Sequence, residues 1–309
     1  MATTGTWEIA LQGRGRYQEV LAAARWAEAQ GLAAFALPDH YLASSDDPSL
    51  PAWDHLVQFA GLARDTSSLQ LVDLVSPITF RHPAVYAKMA STLADMSGGR
   101  FVLGLGTGWF EDEHRRFGIG FPDQDERFER LEEALAYLDA LKQCRSFQGQ
   151  YYQLDEFAVG PAFAVPIVTG GTGSRRTPAL AGRFCDELNL FPSQAGDVPS
   201  RVAACRSAAV AAGRDPGSVR ISYTLVPMSG ADDASYRRTL EQAAAERQRT
   251  PAELEGRLAR RGIPYGPVEQ VREQLAAMVE AGVSRFYLQS PSINPSELGA
   301  IVSPYLPPG

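Results

Sequence analysis

A carboxylic acid and an imidazole stand side by side in the segment Pro38-Asp39-His40-Tyr41, which follows a short apolar run. A carboxylate beside an imidazole can hold the ring in one tautomer, and the ring can then give or take a proton near neutral pH. This pair predicts that His40 is a catalytic acid or base and that Asp39 orients it. The alternative is an ordinary loop, because Asp-His dipeptides are common in loops.

A second candidate site is a glycine-rich turn with hydroxyl and guanidinium groups. Its residues are Gly170, Gly171, Thr172, Gly173, Ser174, Arg175, Arg176 and Thr177. Bare backbone N–H groups, hydroxyls, two guanidinium groups and a predicted helix N-terminus together suit a phosphate. We expect this turn to bind an anion, although the Gly-Lys-Ser/Thr of a P-loop is missing.

A third candidate site is the segment Gly104–Trp109, in which glycines alternate after a predicted strand. Gly106 and Gly108 would bring bare backbone N–H groups close to a ligand, and Thr107 adds a hydroxyl. Glycines also occur in tight turns, so the motif by itself is weak. Ser76, at the end of another predicted strand, is placed to meet a ligand.

The elements that must position these residues alternate regularly along the chain. Short β-branched runs predict strands near 7–11, 33–37, 69–75, 100–105, 166–169, 184–190, 219–228 and 283–288. Helical spacing predicts helices near 16–30, 52–64, 83–95, 125–142, 174–182, 197–212, 267–280 and 295–303. Eight strand–helix units favour a closed (β/α)₈ TIM barrel of the α/β class. A doubly wound open sheet is the rival, but no GxGxxG follows the first strand.

The barrel prediction places the candidate residues together, because active sites of such barrels lie at the C-terminal ends of the strands. We expect a single domain over residues 1–309, with insertions near 144–165 and 230–265. The first insertion, rich in aromatic and turn residues, predicts a hairpin. The second predicts one or two charged helices, which are either a lid over the mouth or a solvated decoration.

Composition excludes several classes of function. The 309 residues carry a net charge of −7 and no long basic block, which argues against binding to nucleic acid or to a membrane surface. No apolar run is long enough for a membrane span, so we expect a cytoplasmic protein. Histidines and cysteines are too far apart in sequence to predict a metal site.

Two longer segments carry a family resemblance. The segment Phe80–Lys88, followed by Ser97–Trp109, resembles the luciferase-like monooxygenase superfamily. Further matches are Asp39-His40, the stretch from Glu111 to Gly118, the aromatic segment 149–152 and Gly170-Gly171 before Arg175-Arg176. The resemblance spans essentially the whole chain.

The resemblance implies a barrel that assembles as a homodimer and binds a flavin or deazaflavin at its mouth. The ring of the cofactor would lie above Asp39, His40 and Ser76. Its phosphate tail would contact the segments 106–108 and 170–177. A non-proline cis peptide is implied within 74–76, with Val75 and Ser76 against the cofactor.

Within the superfamily, the sequence resembles the coenzyme F420-dependent oxidoreductase branch more than the FMN-dependent monooxygenases. Arg175 and Arg176 would suit a phosphate with an anionic polyglutamate tail. Sugar-phosphate dehydrogenases of that branch have a glutamate directly after the GTG turn, and Trp109 stands there in this chain. The departure puts a sugar-phosphate substrate in doubt, and we expect Trp109 and Trp53 to contact the substrate instead.

The leading hypothesis is therefore an F420-dependent oxidoreductase that moves a hydride between the deazaflavin and a small organic substrate, with His40 handling the proton. The alternatives are an FMN-dependent monooxygenase that uses reduced flavin and O₂, and a non-catalytic relative that stores or senses flavin. Apolar and aromatic residues of the mouth loops, Tyr236 among them, favour an apolar ligand. The identity of the substrate and the direction of hydride transfer stay open.

Overall fold

Eight parallel strands close into a ring in the computed structural model, which describes residues 6–43, 50–155 and 163–307. The strands are β1 (Glu8–Gln12), β2 (Ala34–Leu37), β3 (Gln70–Asp73), β4 (Phe101–Gly106), β5 (Ile167–Gly171), β6 (Glu187–Leu190), β7 (Arg220–Leu225) and β8 (Arg285–Gln289). Each strand pairs with the next, and β8 pairs with β1. This closure confirms the (β/α)₈ barrel and excludes the open sheet.

Helices separate the strands and surround the barrel. They are α1 (Tyr17–Ala29), α2 (His55–Asp65), α3 (Pro83–Ser97), α4 (Glu111–Phe117), α5 (Gln124–Lys142), α6 (Arg176–Phe184), α7 (Val198–Ala211), α8 (Asp233–Glu246), α9 (Pro251–Arg261), α10 (Val268–Glu280) and α11 (Pro295–Val302). The eight predicted helices lie within a few residues of these bounds, whereas α4 was missed. Helices α8 and α9 occupy the 230–265 segment.

The first insertion contains a short antiparallel hairpin between Phe147–Gln148 and Gln153–Leu154. Residues 156–162 of the expected insertion lie outside the described part of the chain. Among the residues described above, no helix combines the length and the apolarity needed to cross a membrane.

Two proline positions show how local sequence sets helix starts. Pro83 is the first residue of α3, where its missing N–H costs nothing, and the ring of His82 caps the helix by accepting the N–H of Ala84 at 3.1 Å. Pro267, expected in the same position, instead stands one residue before α10. It cannot join the helix because Gly266–Pro267 pairs with Ser229–Gly230 as a short parallel ribbon.

The main core lies between the strands and the helices, and helix α5 illustrates it. Its predicted stripe of Phe128, Leu131, Leu135 and Leu138 is buried. The inside of the barrel is filled by a separate cluster of mostly small side chains, among them Ala10, Ala34, Ala36, Val72, Val102 and Val168. Large apolar side chains therefore fill the space between the strands and the helices, and small ones fill the inside of the barrel. Polar groups are left at the two ends of the barrel.

The N-terminal end of the barrel is closed by the buried side chain of Arg285, the first residue of β8. Its guanidinium lies 2.7 Å from the carboxylate of Glu8 and 3.5 Å from that of Glu187, and it donates to Gln70 at 2.8 Å. These partners are the first residues of β1, β6 and β3. This end is therefore occupied by a structural ion cluster, and the C-terminal mouth is left for ligands.

Candidate functional site

His40 lies in the loop after β2, at the C-terminal mouth, with 24% of its side chain exposed. Its ring nitrogen Nδ1 lies 3.1 and 3.3 Å from the two carboxylate oxygens of Glu113. Glu113 belongs to α4, is 1% exposed and also accepts the backbone N–H of Tyr41 at 2.9 Å and of Leu42 at 3.4 Å. One buried carboxylate thus holds both the imidazole and the backbone beside it.

This arrangement fixes which ring atom of His40 is left for a ligand. The carboxylate of Glu113 acts as an acceptor for two backbone N–H groups, so Nδ1 of His40 is the donor in their shared hydrogen bond. No described residue forms a hydrogen bond with Nε2. An imidazole held at Nδ1 can exchange a proton at Nε2 with a group bound in the mouth.

The prediction that Asp39 orients His40 is wrong. The carboxylate of Asp39 is 4% exposed and contacts other groups, with Oδ1 3.2 Å from Nδ1 of His55 and Oδ2 2.6 Å from Nη1 of Arg81. The carboxylate that meets His40 is that of Glu113, which comes from α4.

Asp39 instead belongs to a buried charge network with His55 at its centre. The imidazole of His55 lies between Asp39 and Asp73, with Nε2 3.1 Å from Oδ1 of Asp73. Burial alone would lower the pKa of His55, but the two carboxylates raise it to about 10. Burial opposes charge on Asp39 too, yet His55 and Arg81 hold its pKa well below its usual range. The network ties the ends of β2 and β3 to α2.

Ser76 is part of the same network, which corrects the expectation that its hydroxyl would meet a ligand. Ser76 is fully buried, and its hydroxyl donates to Asp73 at 2.8 Å and lies 3.1 Å from His55. The peptide between Leu74 and Val75 is cis, within the segment where the resemblance implied one. Val75 is only partly buried, so it is the residue of this turn that can reach a ligand.

The glycine turn after β4 lies beside His40 and Val75. A side chain at Gly106 would place its Cβ 2.9 Å from a methyl of Val75, so glycine is required there by packing. Gly108 has a φ of +75°, which glycine adopts freely. Thr107 is half-buried and its hydroxyl lies 3.4 Å from the carbonyl oxygen of Gly108. The alternating glycines thus have a structural reason, whether or not a ligand approaches them.

Trp109 is 73% exposed and stands over the mouth. Its ring is stacked on Phe110 at 5.1 Å and meets the ring of His40 edge-on at 5.8 Å. A large aromatic side chain exposed beside the candidate catalytic group is available to a ligand. Its predicted contact with substrate stays a prediction.

The turn after β5 lies at the mouth next to the glycine turn of β4, because the two strands are paired. Gly170 and Gly171 end the strand, Thr172 and Gly173 follow, and these lead into the N-terminus of α6. No side chain in the described part of the chain caps the first turn of this helix, so its backbone N–H groups suit an anion.

The two arginines of this turn are not equivalent. Arg175 is exposed and no described residue forms an ion pair with it. Arg176 lies 2.5 Å from the carboxylate of Asp125 and 4.3 Å above the ring of Phe128, so it is partly engaged already. Arg175 is therefore the better placed of the two to meet an anionic group.

The turn after β5 is stabilised by a buried arginine that the sequence did not indicate. Arg201 of α7 is fully buried and donates to the carbonyl oxygens of Gly171 and, at 2.9 Å, Phe191. The guanidinium ties the ends of β5 and β6 together beneath the turn. An arginine in an alanine-rich helix gives no sequence signal for such a role.

A cavity of about 300 Å³ opens beside His40 on the side of the β1 and β2 loops. Its lining includes Trp53, which was predicted to contact substrate, and Arg14, which was not singled out. Tyr236, expected at the mouth, is buried in the small apolar core between α8 and α9 and donates to Glu255 at 2.8 Å. It is therefore not a wall of this cavity.

The helices α8 and α9 approach the mouth near the loop after β6. Arg261 donates to the carbonyl oxygen of Pro192 at 2.8 Å, and Ala195 donates to that of Arg260 at 2.9 Å. The pair packs around its own apolar residues and joins the barrel through the ribbon at Ser229–Gly230. The lid and the solvated decoration, the two alternatives that the sequence offered, stay predictions.

The sequence profile of the luciferase-like monooxygenase family matches residues 1–285. The chain belongs to this family. The chain is 29% identical to the F420-dependent glucose-6-phosphate dehydrogenase of Kineococcus radiotolerans over 298 residues. The alignment covers 92% of this chain and 82% of that protein. Family membership confirms the resemblance found in the sequence.

Two solved structures have the same fold. The coenzyme F420-dependent tetrahydromethanopterin reductase of Methanopyrus kandleri superposes with a TM-score of 0.74 and 16% identity over 98% of this chain and 99% of that one. The EDTA monooxygenase of Chelativorans sp. BNC1 superposes with a TM-score of 0.78 and 18% identity over 97% of this chain and 93% of that one. The same barrel fold thus occurs in an F420-dependent reductase and in a monooxygenase.

Proposed function

We propose that this protein is an F420-dependent oxidoreductase acting on a small organic substrate. When bound, the deazaflavin supplies the hydride donor or acceptor. The observation that carries the proposal is the imidazole of His40, held at Nδ1 by Glu113 and exposed at the mouth beside a cavity. Hydride transfer to a carbonyl, or from an alcohol, needs one proton moved at oxygen, and Nε2 of His40 is the group placed to move it.

The residues of the mouth fit the cofactor. The uncapped N-terminus of α6 suits a phosphodiester, and the exposed guanidinium of Arg175 beside it suits the carboxylates of a polyglutamate tail. Val75 is partly exposed at the strand ends and would contact the ring of the cofactor. The phosphate of FMN would use the same helix N-terminus.

The preference for F420 over FMN is supported by the dehydrogenase of Kineococcus radiotolerans, since that similarity extends over 92% of this chain. Glucose 6-phosphate, which the name of that relative gives as its substrate, is not proposed as the substrate of this protein. Trp109 occupies the position after the glycine turn, and the described residues that line the cavity beside His40 are mostly apolar. Few polar side chains among them would replace the hydrogen bonds that the hydroxyls of a sugar make to water.

Titration of the purified protein with F420 and with FMN, followed by quenching of tryptophan fluorescence, tests the choice of cofactor. We expect F420 to bind at least about 10-fold more tightly, because only F420 adds tail carboxylates that Arg175 can pair with. A panel of alcohols and carbonyl compounds is then screened for a change in the absorbance of F420. Tighter binding of FMN, with O₂ consumed in the presence of reduced flavin, would overturn the proposal in favour of a monooxygenase.

A further inference from the structure

The guanidinium of Arg201 fixes the direction of one carbonyl group at the end of β5. Arg201 is fully buried, and it donates to the carbonyl oxygen of Gly171 and, at 2.9 Å, to that of Phe191. The carbonyl oxygen of Gly171, the last residue of β5, also accepts the backbone N–H of Phe191 at 3.2 Å. Both donors come from the side of β6 and α7, so this carbonyl group points to that side.

Fixing this carbonyl group also fixes the backbone N–H of Thr172, which belongs to the same peptide unit. In a trans peptide the C=O and N–H groups point in opposite directions, and the only cis bond in the described chain lies between Leu74 and Val75. Because β5 lies between β4 and β6, the N–H of Thr172 points toward β4. The pairing of β5 with β4 has already ended at Thr169.

This N–H group is available to a ligand. No oxygen atom in the described part of the chain accepts it, and the glycine turn after β4 lies on the side to which it points. The backbone N–H groups at the start of α6, which begins at Arg176, follow a few residues later. A phosphate accepts several hydrogen bonds and binds well to such successive backbone donors. Thr172 therefore adds a donor to the N-terminus of α6.

Arg201 also places a positive charge beneath the turn. Among the described residues its one ion-pair partner is Asp197, whose Oδ2 lies 3.6 Å from Nη1. That carboxylate is partly exposed and also accepts the hydroxyl of Ser193, so it is shared with water and with a second donor. Water screens a buried charge less than an exposed one. The guanidinium can therefore attract an anion at the turn without touching it.

We propose that Arg201 is a positioning residue for the phosphate of the cofactor: it turns the N–H of Thr172 toward the phosphate and adds a buried positive charge beneath it. The inference deepens the proposed function and rests on it in one respect, that the bound cofactor carries a phosphate. F420 and FMN both carry one, so the inference applies to either cofactor.

The test measures how much the phosphate adds to binding, as the ratio of the dissociation constants of riboflavin and FMN. These two ligands have the same ring system and differ by the phosphate. F420 and its deazariboflavin chromophore, which lacks the phosphate and the tail, are titrated in parallel. In Arg201→Gln we expect the ratio for each pair to fall about 10-fold, while the ligand without phosphate binds as it does to the native protein. Arg201→Lys keeps the charge and should lower the ratio only about 3-fold.

Arg214→Gln is the matched control, because Arg214 makes the same kind of contact at the other end of α6. Its guanidinium donates to the carbonyl oxygens of Gly182 and Cys185, both at 2.8 Å. Removing it should lower the stability of the protein and leave the ratio unchanged. An equal fall of the ratio in Arg201→Gln and Arg214→Gln would mean that general loosening of α6, and not the turn, is responsible.

A measurement on the native protein tests the same inference without a substitution at a buried position. The amide proton of Thr172 should shift downfield in NMR spectra when FMN binds and should not shift when riboflavin binds, because only the phosphate accepts its hydrogen bond. If Arg201→Gln does not fold, this shift and Arg201→Lys decide.

Four results would overturn the inference. They are an amide of Thr172 that does not respond to the phosphate, an unchanged ratio in the Arg201 variants, an equal fall in the Arg214 variant, and equal affinities for riboflavin and FMN and for the F420 pair in the native protein. Tighter binding of FMN than of F420 would overturn the proposed function instead. The inference on Arg201 would then be judged by the ratio for riboflavin and FMN alone.

Discussion

The carboxylate of Glu113 lies 3.1 Å from Nδ1 of His40, although 73 residues separate the two in sequence. Glu113 comes from the first turns of α4, directly after the glycine turn of β4, and His40 comes from the loop of β2. This contact joins the loop of β2 to the helix that follows the glycine turn of β4. It also makes Glu113 a positioning residue for the imidazole.

We expect Glu113→Gln to lower kcat about 10-fold to 100-fold with a small change in KM, because the imidazole loses its fixed tautomer while the cavity is kept. The amide can still accept one backbone N–H, so the fold should persist. Steady-state kinetics with F420 measure the split between kcat and KM. Glu111→Gln, at an exposed position on the same helix, is the control and should leave both constants unchanged; a parallel drop in both variants would argue against positioning.

His40→Ala should lower kcat by about 10²- to 10⁴-fold, the usual contribution of a positioned acid or base. The affinity for F420 should change little, since the phosphate tail is expected at the turn after β5 and His40 belongs to the loop of β2. Fluorescence titration and steady-state kinetics on the same preparation measure the two effects. His82→Asn is the control, because asparagine can replace the cap that His82 provides to α3. Full turnover in His40→Ala would remove His40 from the mechanism.

Arg175→Gln should weaken binding of F420 by about 5-fold to 10-fold and make the dissociation constant less dependent on salt, because one exposed charge-assisted contact is lost. Arg176→Gln should have a smaller effect, since Asp125 already engages that guanidinium. Titrations at two salt concentrations measure both variants. Equal losses in the two variants, or none, would contradict the assigned difference between the arginines.

His55→Gln should lower the free energy of unfolding by about 3–5 kcal/mol near pH 8, because it leaves Asp39 and Asp73 facing each other without a cation between them. In the native protein the pKa of His55 is raised from 6.5 to about 10. Its contribution to stability is thus fully present below pH 6.5 and is lost as the pH rises through about 10. The lowered pKa of Asp39 contributes above pH 3.8 and is lost as the pH falls.

The variant should show a different dependence on pH. Without the imidazolium, burial and the charge of Asp39 raise the pKa of Asp73 further, so the stability of the variant is lost as the pH rises above the unfolded value of that carboxyl. His55→Gln should therefore be more stable at pH 5 than at pH 8. Thermal unfolding of the variant at the two pH values measures the difference; equal stability at both would contradict the role of charge.

Much of the fold follows from local sequence. The alternation of apolar runs with helical stripes such as Phe128, Leu131, Leu135 and Leu138 predicted the barrel, and Pro83 marked the start of α3. Helix α4 was missed, because seven residues that are mostly charged carry no apolar stripe. The glycine turns were found as well, since only glycine accepts a φ of +75° or the close approach of Val75 without strain.

The sequence by itself determined which segments follow the strands and lie at the mouth, because strand ends and turn residues are set by short-range pattern. Only the tertiary structure decided which of them meet. Asp39 adjoins His40 in the chain yet pairs with His55 and Arg81, while Glu113 reaches His40 from another strand–helix unit. Side-chain direction in a loop depends on how the barrel closes and on which carboxylates are buried together. The spacing of residues along the chain contains no information on either of these.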